Sequence, residues 1–185
     1  MKTVVITGAS SGIGKGLAMK FAREEKSNLV IAARDESRLL ELQRELEEIG
    51  SKVLVIKTDV TKNQDLINLV NKSIETFHTI DIFINNAGLG FVRPINELTD
   101  DEISTMVDVN VKGLMLAAKH VSEIMIRQRS GHIVNISSIA GFIAAPKWNV
   151  YAASKFAVKA FSDSIRLELK KYGIKVTCVH PGPVE

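Results

Sequence analysis

Short apolar runs alternate with longer amphipathic stretches along this chain. Several of the runs are apolar at consecutive positions, which is typical of strands that helices cover on both faces of a parallel sheet. We therefore predict six strands, at residues 3–6, 28–32, 52–57, 80–84, 132–136 and 175–179.

The stretches between the strands carry apolar residues at helical spacing. Residues 37–49 place four leucines among glutamates, with Gly50 as a stop signal, and residues 65–77 repeat the pattern. Right-handed crossovers between such elements give an α/β fold: a Rossmann-like doubly wound parallel sheet with helices on both faces. Its ligand crevice lies at the carboxyl ends of the strands. Because the sequence contains no internal repeat and no linker, we predict one domain over residues 1–185.

Two later helices, predicted at 100–129 and 151–171, are apolar around much of their circumference. Such helices need cover on more than one side. Deep burial within one subunit and burial in a subunit interface both satisfy this need. The pattern favours the interface, and we expect a homodimer or a homotetramer.

Composition excludes several classes of protein. With 185 residues, 45% hydrophobic and 24% charged, the chain can bury a core and is not expected to be disordered. The net charge of +3 comes from basic residues spread along the chain, so we expect no nucleic-acid partner. The first apolar run is too short for a signal peptide or a membrane span, which indicates a cytoplasmic protein with no membrane partner.

No metal site is expected. Cys178, the single cysteine, lies in an apolar run, where a buried thiol is the usual case. The four histidines, at positions 78, 120, 132 and 180, lack the spacing of metal ligands.

A glycine-rich turn follows the first strand. Its sequence is Thr7-Gly8-Ala9-Ser10-Ser11-Gly12-Ile13-Gly14, and it leads into a helix. Backbone N–H groups and the positive end of that helix favour an anion here, and the glycines allow phosphates to approach closely. The spacing is G-x-x-x-G-x-G rather than G-x-G-x-x-G, so the turn alone is modest evidence for a dinucleotide.

The second strand ends without a carboxylate, and Arg34 is the first residue after it. Dinucleotide-binding folds use this position either for an acidic residue that binds a ribose hydroxyl or for an arginine that accepts a 2′-phosphate. A guanidinium suits a phosphate, so the pattern favours NADP (NADPH) over NAD. Asp35 leaves NAD possible, and a solvated Arg34–Asp35 pair is a further alternative.

Three residues suggest proton transfer. Tyr151 and Lys155 are four positions apart, so on a helix they share a face and the ammonium can approach the phenol. Ser138 follows the fifth strand. Each residue alone has an ordinary structural explanation, and Trp148 either lines a substrate pocket or fills the helix entry.

Taken together, these motifs resemble the classical short-chain dehydrogenases/reductases (SDR), which include 3-oxoacyl-thioester reductases and carbonyl reductases. Besides the turn and Tyr-Ala-Ala-Ser-Lys at 151–155, the chain has Asp59-Val60, Asn85-Asn86-Ala87-Gly88, Asn110, Ser138 and Pro181-Gly182. The match spans essentially the whole chain, with every motif in order.

The resemblance implies a role for each motif. Asn110, Ser138, Tyr151 and Lys155 match the catalytic set, with Asn110 as a helix-kinking residue. Cofactor binding is implied for Gly8, Ser10, Ser11, Gly12, Ile13, Gly14, Arg34, Asp59, Val60, Asn86, Ala87, Gly88, Tyr151, Lys155, Pro181 and Gly182.

The resemblance implies an oxidoreductase that moves hydride between NADPH and a carbonyl or secondary alcohol. The alternatives are an NAD-dependent alcohol, sugar or steroid dehydrogenase on the same fold and a cofactor-sensing protein without turnover. Members of this family normally continue some tens of residues past the Pro-Gly motif, whereas this sequence stops at Glu185. The resemblance therefore implies that a C-terminal part of the fold is missing here, and the substrate stays open.

Overall fold

The computed structural model describes residues 1–183, and these form one parallel six-stranded sheet in the order β3-β2-β1-β4-β5-β6. The strands are β1 (Thr3–Thr7), β2 (Asn28–Ala33), β3 (Val53–Lys57), β4 (Ile82–Asn85), β5 (Gly131–Ile136) and β6 (Ile174–Val179). Each predicted strand is present, and its ends lie within two residues of the prediction. This confirms the Rossmann-like doubly wound fold.

Helices connect the strands on both faces of the sheet. They are α1 (Gly12–Glu25), α2 (Glu36–Glu48), α3 (Asn63–Phe77), α4 (Asp100–Val107), α5 (Leu114–Gln128) and α6 (Asn149–Leu169). Among the described residues, no helix is both long and apolar enough to cross a membrane.

The core consists of two apolar layers, one on each face of the sheet. Neighbouring side chains of a strand point to opposite faces, so Val5 packs with α3 and α5 while Val4 and Ile6 pack with α1 and α2. All three are fully buried. The alternation explains why β1 is apolar at consecutive positions.

The helix predicted over 100–129 is divided. A capping box formed by Thr99 and Glu102 begins α4, and a π-helical segment, Asp108–Gly113, separates α4 from α5. Asn110 is in this segment and is 1% exposed. Hydrophobic periodicity did not show the interruption, because apolar residues continue through the segment, where Val109 is buried, into α5.

The strand order positions the ligand crevice. The chain moves outward from β1 to β3, then returns to the other side of β1 with β4 and moves outward again. The connections after β1 and β4 therefore leave the sheet on opposite faces, and a cleft opens between them. The glycine-rich turn and the Asn85–Gly88 motif follow these two strands.

The last described strand, β6, lies at an edge of the sheet and pairs only with β5. Its Ile174 and Val176 are buried, whereas Val179 is 38% exposed. Cys178 is half-buried rather than buried as expected, because an edge position leaves part of its surroundings open. Burial still raises the pKa of its thiol.

Candidate functional site

A cleft of about 1230 Å³ runs across the carboxyl ends of the strands. Ordinary small-molecule pockets measure roughly 300 to 1,000 Å³. This cleft is larger, and its lining residues follow β2, β1, β4 and β5 across the sheet, so it has room for an extended ligand. We call the part lined by Arg34 and Asp59 the arginine end, and the part lined by Ser138, Tyr151 and Lys155 the tyrosine end. The glycine-rich turn lies along the cleft between them.

A clamp of hydrogen bonds joins the turn after β1 to the turn after β4. The Asn86 side chain donates to the carbonyl oxygens of Thr7 and Gly8, each at 3.0 Å. In return, the Thr7 hydroxyl accepts from the backbone N–H groups of Asn86 (3.1 Å) and Ala87 (3.2 Å). The two segments that line the middle of the cleft are thus held at a fixed separation.

Glycine is required where these two segments meet. Gly8 has a φ of +65°, and a Cβ there would lie 2.9 Å from the Cα of Ala87. Gly14, at the start of α1, is packed so closely on the Gly8 carbonyl and the Asn86 amide that no side chain fits. Because Gly12 begins α1 at the cleft, the free N–H groups of this helix terminus face the space where a phosphate would bind.

At the arginine end, Asp35 is engaged by its own helix. As N-cap of α2 it accepts a hydrogen bond from the Arg38 N–H (3.1 Å), and it forms an ion pair with the Arg38 side chain (3.4 Å). Arg34 and Arg38 both line the cleft. Asp35 is thus engaged in the N-cap of α2, whereas the side chain of Arg34 takes no part in that cap.

Asp59 lies on the opposite wall of the arginine end. Burial alone would raise the pKa of Asp59, but two hydrogen bonds from Thr61 and the positive charges of Arg34 and Lys62 hold it below its usual value. The carboxylate is therefore ionised near neutral pH and able to accept hydrogen bonds.

The tyrosine end contains the buried lysine. Lys155 is 5% exposed, and its ammonium donates to the Ile136 carbonyl at 3.1 Å. Its Nζ lies 5.7 Å from the centroid of the Tyr151 ring, so the two side chains are neighbours as predicted. Burial lowers the pKa of Lys155 to about 8, which leaves the side chain mostly protonated at neutral pH.

The hydroxyls of Ser138 and Ser137, which follow β5, have different hydrogen-bond partners. The Ser138 hydroxyl lies in the cleft and accepts from the Ala140 N–H at 3.1 Å, which leaves its own O–H available to donate. The Ser137 hydroxyl donates to the Lys155 carbonyl at 2.9 Å and ties α6 to the end of β5.

Asn110 lies behind the wall of the cleft. Its side chain donates to the Leu89 carbonyl (2.7 Å) and accepts from the Leu89 N–H (2.9 Å). It also donates to the Ser154 hydroxyl, which donates to the Tyr151 carbonyl. The π-helical segment is thereby connected both to the loop after β4 and to the helix that carries Tyr151.

Almost all the predicted residues line the one cleft. They are Gly8, Ser10, Ser11, Gly12, Ile13, Arg34, Asp59, Val60, Asn86, Ala87, Gly88, Ser138, Tyr151, Lys155, Pro181 and Gly182. The two exceptions are Gly14, inside the glycine-rich turn, and Asn110. Their places in the structure are supporting ones, beneath the surface that a ligand would touch.

Sequence reasoning missed residues that position this surface. Thr7 was treated only as a strand end, although a hydroxyl at the last position of a parallel strand can bond the neighbouring strand. Gly90 lies against the Tyr151 ring, where a Cβ would be 2.7 Å from its Cδ2 atom. No sequence signal distinguishes that glycine from an ordinary loop glycine.

The residues fit a dinucleotide better than a metal ion. A cleft of this length with a helix terminus in its middle and an ionised carboxylate at one end matches two nucleotides joined by a pyrophosphate. Within residues 1–183, no group of three or more histidine, cysteine, aspartate or glutamate side chains is placed to hold a metal ion.

Comparison with known proteins gives one consistent family. The family model described as "short chain dehydrogenase" matches residues 2–185. An uncharacterized oxidoreductase of Staphylococcus aureus (strain MRSA252) is 38% identical over 184 residues, and the match covers 100% of this chain and 78% of the relative. One from Staphylococcus saprophyticus is 40% identical over 187 residues, with 100% and 79% covered. These relatives are longer than this chain.

Solved structures of similar fold bind either nicotinamide cofactor. An alcohol dehydrogenase from Thermococcus sibiricus, complexed with 5-hydroxy-NADP, matches with a TM-score of 0.94 and 30% identity, covering 100% of this chain and 77% of that one. A short-chain dehydrogenase/reductase from Burkholderia phymatum in complex with NAD matches with a TM-score of 0.91 and 32% identity, covering 98% and 65%.

Proposed function

Because the chain belongs to the short-chain dehydrogenase family, and is therefore an oxidoreductase that acts on CH–OH groups with NAD or NADP, we propose that it reduces a ketone with NADPH. A 3-oxoacyl thioester or a similar small carbonyl compound is the proposed substrate. One observation carries the proposal: Ser138, Tyr151 and Lys155 line one end of a cleft that also contains a phosphate-binding turn.

The three side chains have different roles at the carbonyl oxygen of the substrate. Tyr151 donates its phenolic proton to that oxygen as the carbon is reduced, and Ser138 donates a hydrogen bond that stabilises the developing negative charge. The Lys155 ammonium, which lies 5.7 Å from the centroid of the Tyr151 ring, stabilises the phenolate that remains, because opposite charges attract. In the reverse direction the same groups remove the proton of an alcohol.

The glycine-rich turn and the Asn86–Gly88 segment would hold the cofactor along the cleft. When bound, the reduced nicotinamide supplies the hydride that the carbonyl carbon receives. Asp59 and Val60 would contact the adenine, and Pro181 and Gly182 border the tyrosine end. Asn110 positions both walls of that end through Leu89 and Ser154.

The preference for NADPH rests on Arg34. Asp35 caps α2 and pairs with Arg38, so its carboxylate is already bonded, while the Arg34 guanidinium lines the cleft. A 2′-phosphate offers Arg34 a charge-assisted bidentate contact that a ribose hydroxyl does not. Dependence on NAD is the competing proposal.

Exposed apolar residues on the helices support a homodimer or a homotetramer. Phe156 on α6 is 42% exposed and Val107 on α4 is 43% exposed. Large apolar side chains left in water at neighbouring helices are typical of subunit interfaces. Sedimentation analysis of the purified chain tests this expectation.

The test of the function removes the phenolic hydroxyl. We expect Tyr151→Phe to lower kcat/KM for NADPH-dependent ketone reduction at least about 100-fold, since general acid catalysis contributes roughly 10² to 10⁴ in rate. NADPH absorbance at 340 nm reports turnover against a panel of ketones. Tyr172→Phe, which alters the other of the two tyrosines, is the matched control.

Cofactor binding is measured separately in both variants. Trp148 is the only tryptophan of the chain and lines the cleft, so energy transfer from Trp148 to NADPH reports binding. Turnover that survives in Tyr151→Phe with binding intact would end the proposed role of Tyr151. Absence of turnover with every ketone in the wild type would end the proposed function.

A further inference from the structure

The charged side chains that line the cleft are concentrated at the arginine end. Arg34, Asp35, Arg38 and Asp59 all lie there. At the tyrosine end, Lys155 is the single charged lining residue among the residues that the structure describes. That lysine is buried and donates to the Ile136 carbonyl, so it is not placed to receive an anionic group of a substrate.

Apolar side chains form the rest of the tyrosine end. Ile139 directly follows Ser138. Trp148 lies about one helical turn before Tyr151, and its carbonyl accepts a hydrogen bond from the Ala152 N–H. From the loop after β4, Leu89, Gly90 and Val92 also line the cleft, and Gly90 lies against the Tyr151 ring. A substrate whose carbonyl oxygen reaches Tyr151 therefore contacts hydrocarbon on both sides.

The segments that carry these residues are also apolar at the surface. Among residues 1–183, eleven large hydrophobic side chains are exposed, and five of them lie in residues 89–98 and 138–148: Val92, Ile95, Ile139, Phe142 and Ile143. Val92 is 56% exposed. Single exposed apolar residues are common, but a group of them beside a cleft marks a binding surface.

The charged residues in these segments, Arg93, Glu97 and Lys147, do not line the cleft. Arg93 pairs with Glu102 at 3.3 Å, and neither lines the cleft. Lys147 is exposed and is also outside the lining. A carboxylate or phosphate next to the reacting carbonyl would thus lose its hydration at the tyrosine end without gaining a cation there.

We propose that the tyrosine end selects uncharged, largely apolar ketones and the corresponding secondary alcohols, and discriminates against substrates with a carboxylate or phosphate near the carbonyl. This inference rests on the proposed function and narrows its substrate class. It separates this protein from dehydrogenases that take phosphorylated sugars or 2-oxo acids.

The test compares two ketones that differ in charge but little in size: 4-acetylbenzoate and its methyl ester. With the wild-type chain and NADPH, we expect kcat/KM for the ester to exceed that for the carboxylate at least about tenfold. Equal values, or a preference for the carboxylate, would overturn the inference while leaving the proposed function standing. Failure to reduce any ketone would instead overturn the proposed function.

Variants at Val92 locate the selectivity in the structure. We expect Val92→Arg to lower the ester-to-carboxylate ratio at least about tenfold by providing a cation, and Val92→Asp to raise the ratio. Leu40→Arg is the control, since Leu40 is an exposed apolar residue of α2 that does not line the cleft. If neither Val92 variant moves the ratio relative to Leu40→Arg, the proposed placement of the substrate is wrong.

Discussion

The position of the Tyr151 ring depends on a residue with no side chain. Gly90 lies against one face of the ring, and an added Cβ would come within 2.7 Å of Cδ2 and 3.0 Å of Cε2. Real Cβ atoms do not approach ring carbons so closely, so either the loop or the ring must move. Moving the ring moves the hydroxyl that we propose as the proton donor.

We expect Gly90→Ala to lower kcat/KM about 10- to 100-fold, because displacing a catalytic group by about 1 Å can cost this much. The loss should appear in kcat more than in cofactor binding, which is followed by energy transfer from Trp148. Gly16→Ala is the control: Gly16 is an exposed residue of α1 with no atom within 4 Å of the added Cβ. Full activity in Gly90→Ala would show that the ring tolerates the contact.

The elements of the fold were largely predictable, whereas their junctions were not. Consecutive apolar residues in β1 and β2 identify them as central strands. Gly50 marks the end of the α2 helix, because glycine readily adopts the positive φ that the chain has there. The resemblance marked Asn110 as a helix-kinking residue, but it did not show that the kink is a π-helical segment or that Asn110 bonds Leu89 and Ser154, which are distant from it in sequence.

The candidate site was also predictable only in part. The resemblance named the residues that line the cleft, since motifs at strand ends are local in sequence. It left open whether NADP or NAD binds, because the sequence alone does not show that Asp35 is engaged as the cap of α2. The substrate end also stayed open, as its walls come from two loops without a fixed pattern.

The turn between β2 and α2 should therefore determine which cofactor binds. We expect Arg34→Ala to weaken NADPH binding about tenfold or more, in line with about 1.5 to 3 kcal/mol for a hydrogen bond to a charged group, and to leave NADH binding nearly unchanged. Energy transfer from Trp148 measures both constants. Arg44→Ala, at an exposed position of α2, is the control; an equal loss for the two cofactors would contradict the assignment.

At the scale of the whole molecule, the buried Lys155 reduces stability to serve the site. Burial lowers the pKa of this side chain from 10.5 to about 8, so the unfolded chain binds more protons than the folded chain between these values. The resulting contribution to stability is present above pH 10.5 and is lost as the pH falls through 8. At neutral pH the protein therefore retains an ammonium group that opposes folding.

We expect Lys155→Met to remove this pH dependence. Its unfolding free energy, relative to wild type, should be higher at pH 7 than at pH 10 by about 2 to 3 kcal/mol, since each pKa unit corresponds to about 1.4 kcal/mol. Urea denaturation at several pH values measures the difference. Lys20→Met, at an exposed lysine of α1, should show no such trend; a flat difference for Lys155→Met as well would contradict the shifted pKa.

The clamp between Thr7 and Asn86 also bears on how the protein is made. These residues are 79 positions apart, and the central strand β1 gains its second neighbour only when β4 is present. A nascent chain that has emerged only as far as α3 contains every glycine of the glycine-rich turn but lacks Asn86, the partner that holds the turn in place. We therefore expect the cofactor to assist folding only late in translation, after the ribosome has released the segment around Asn86.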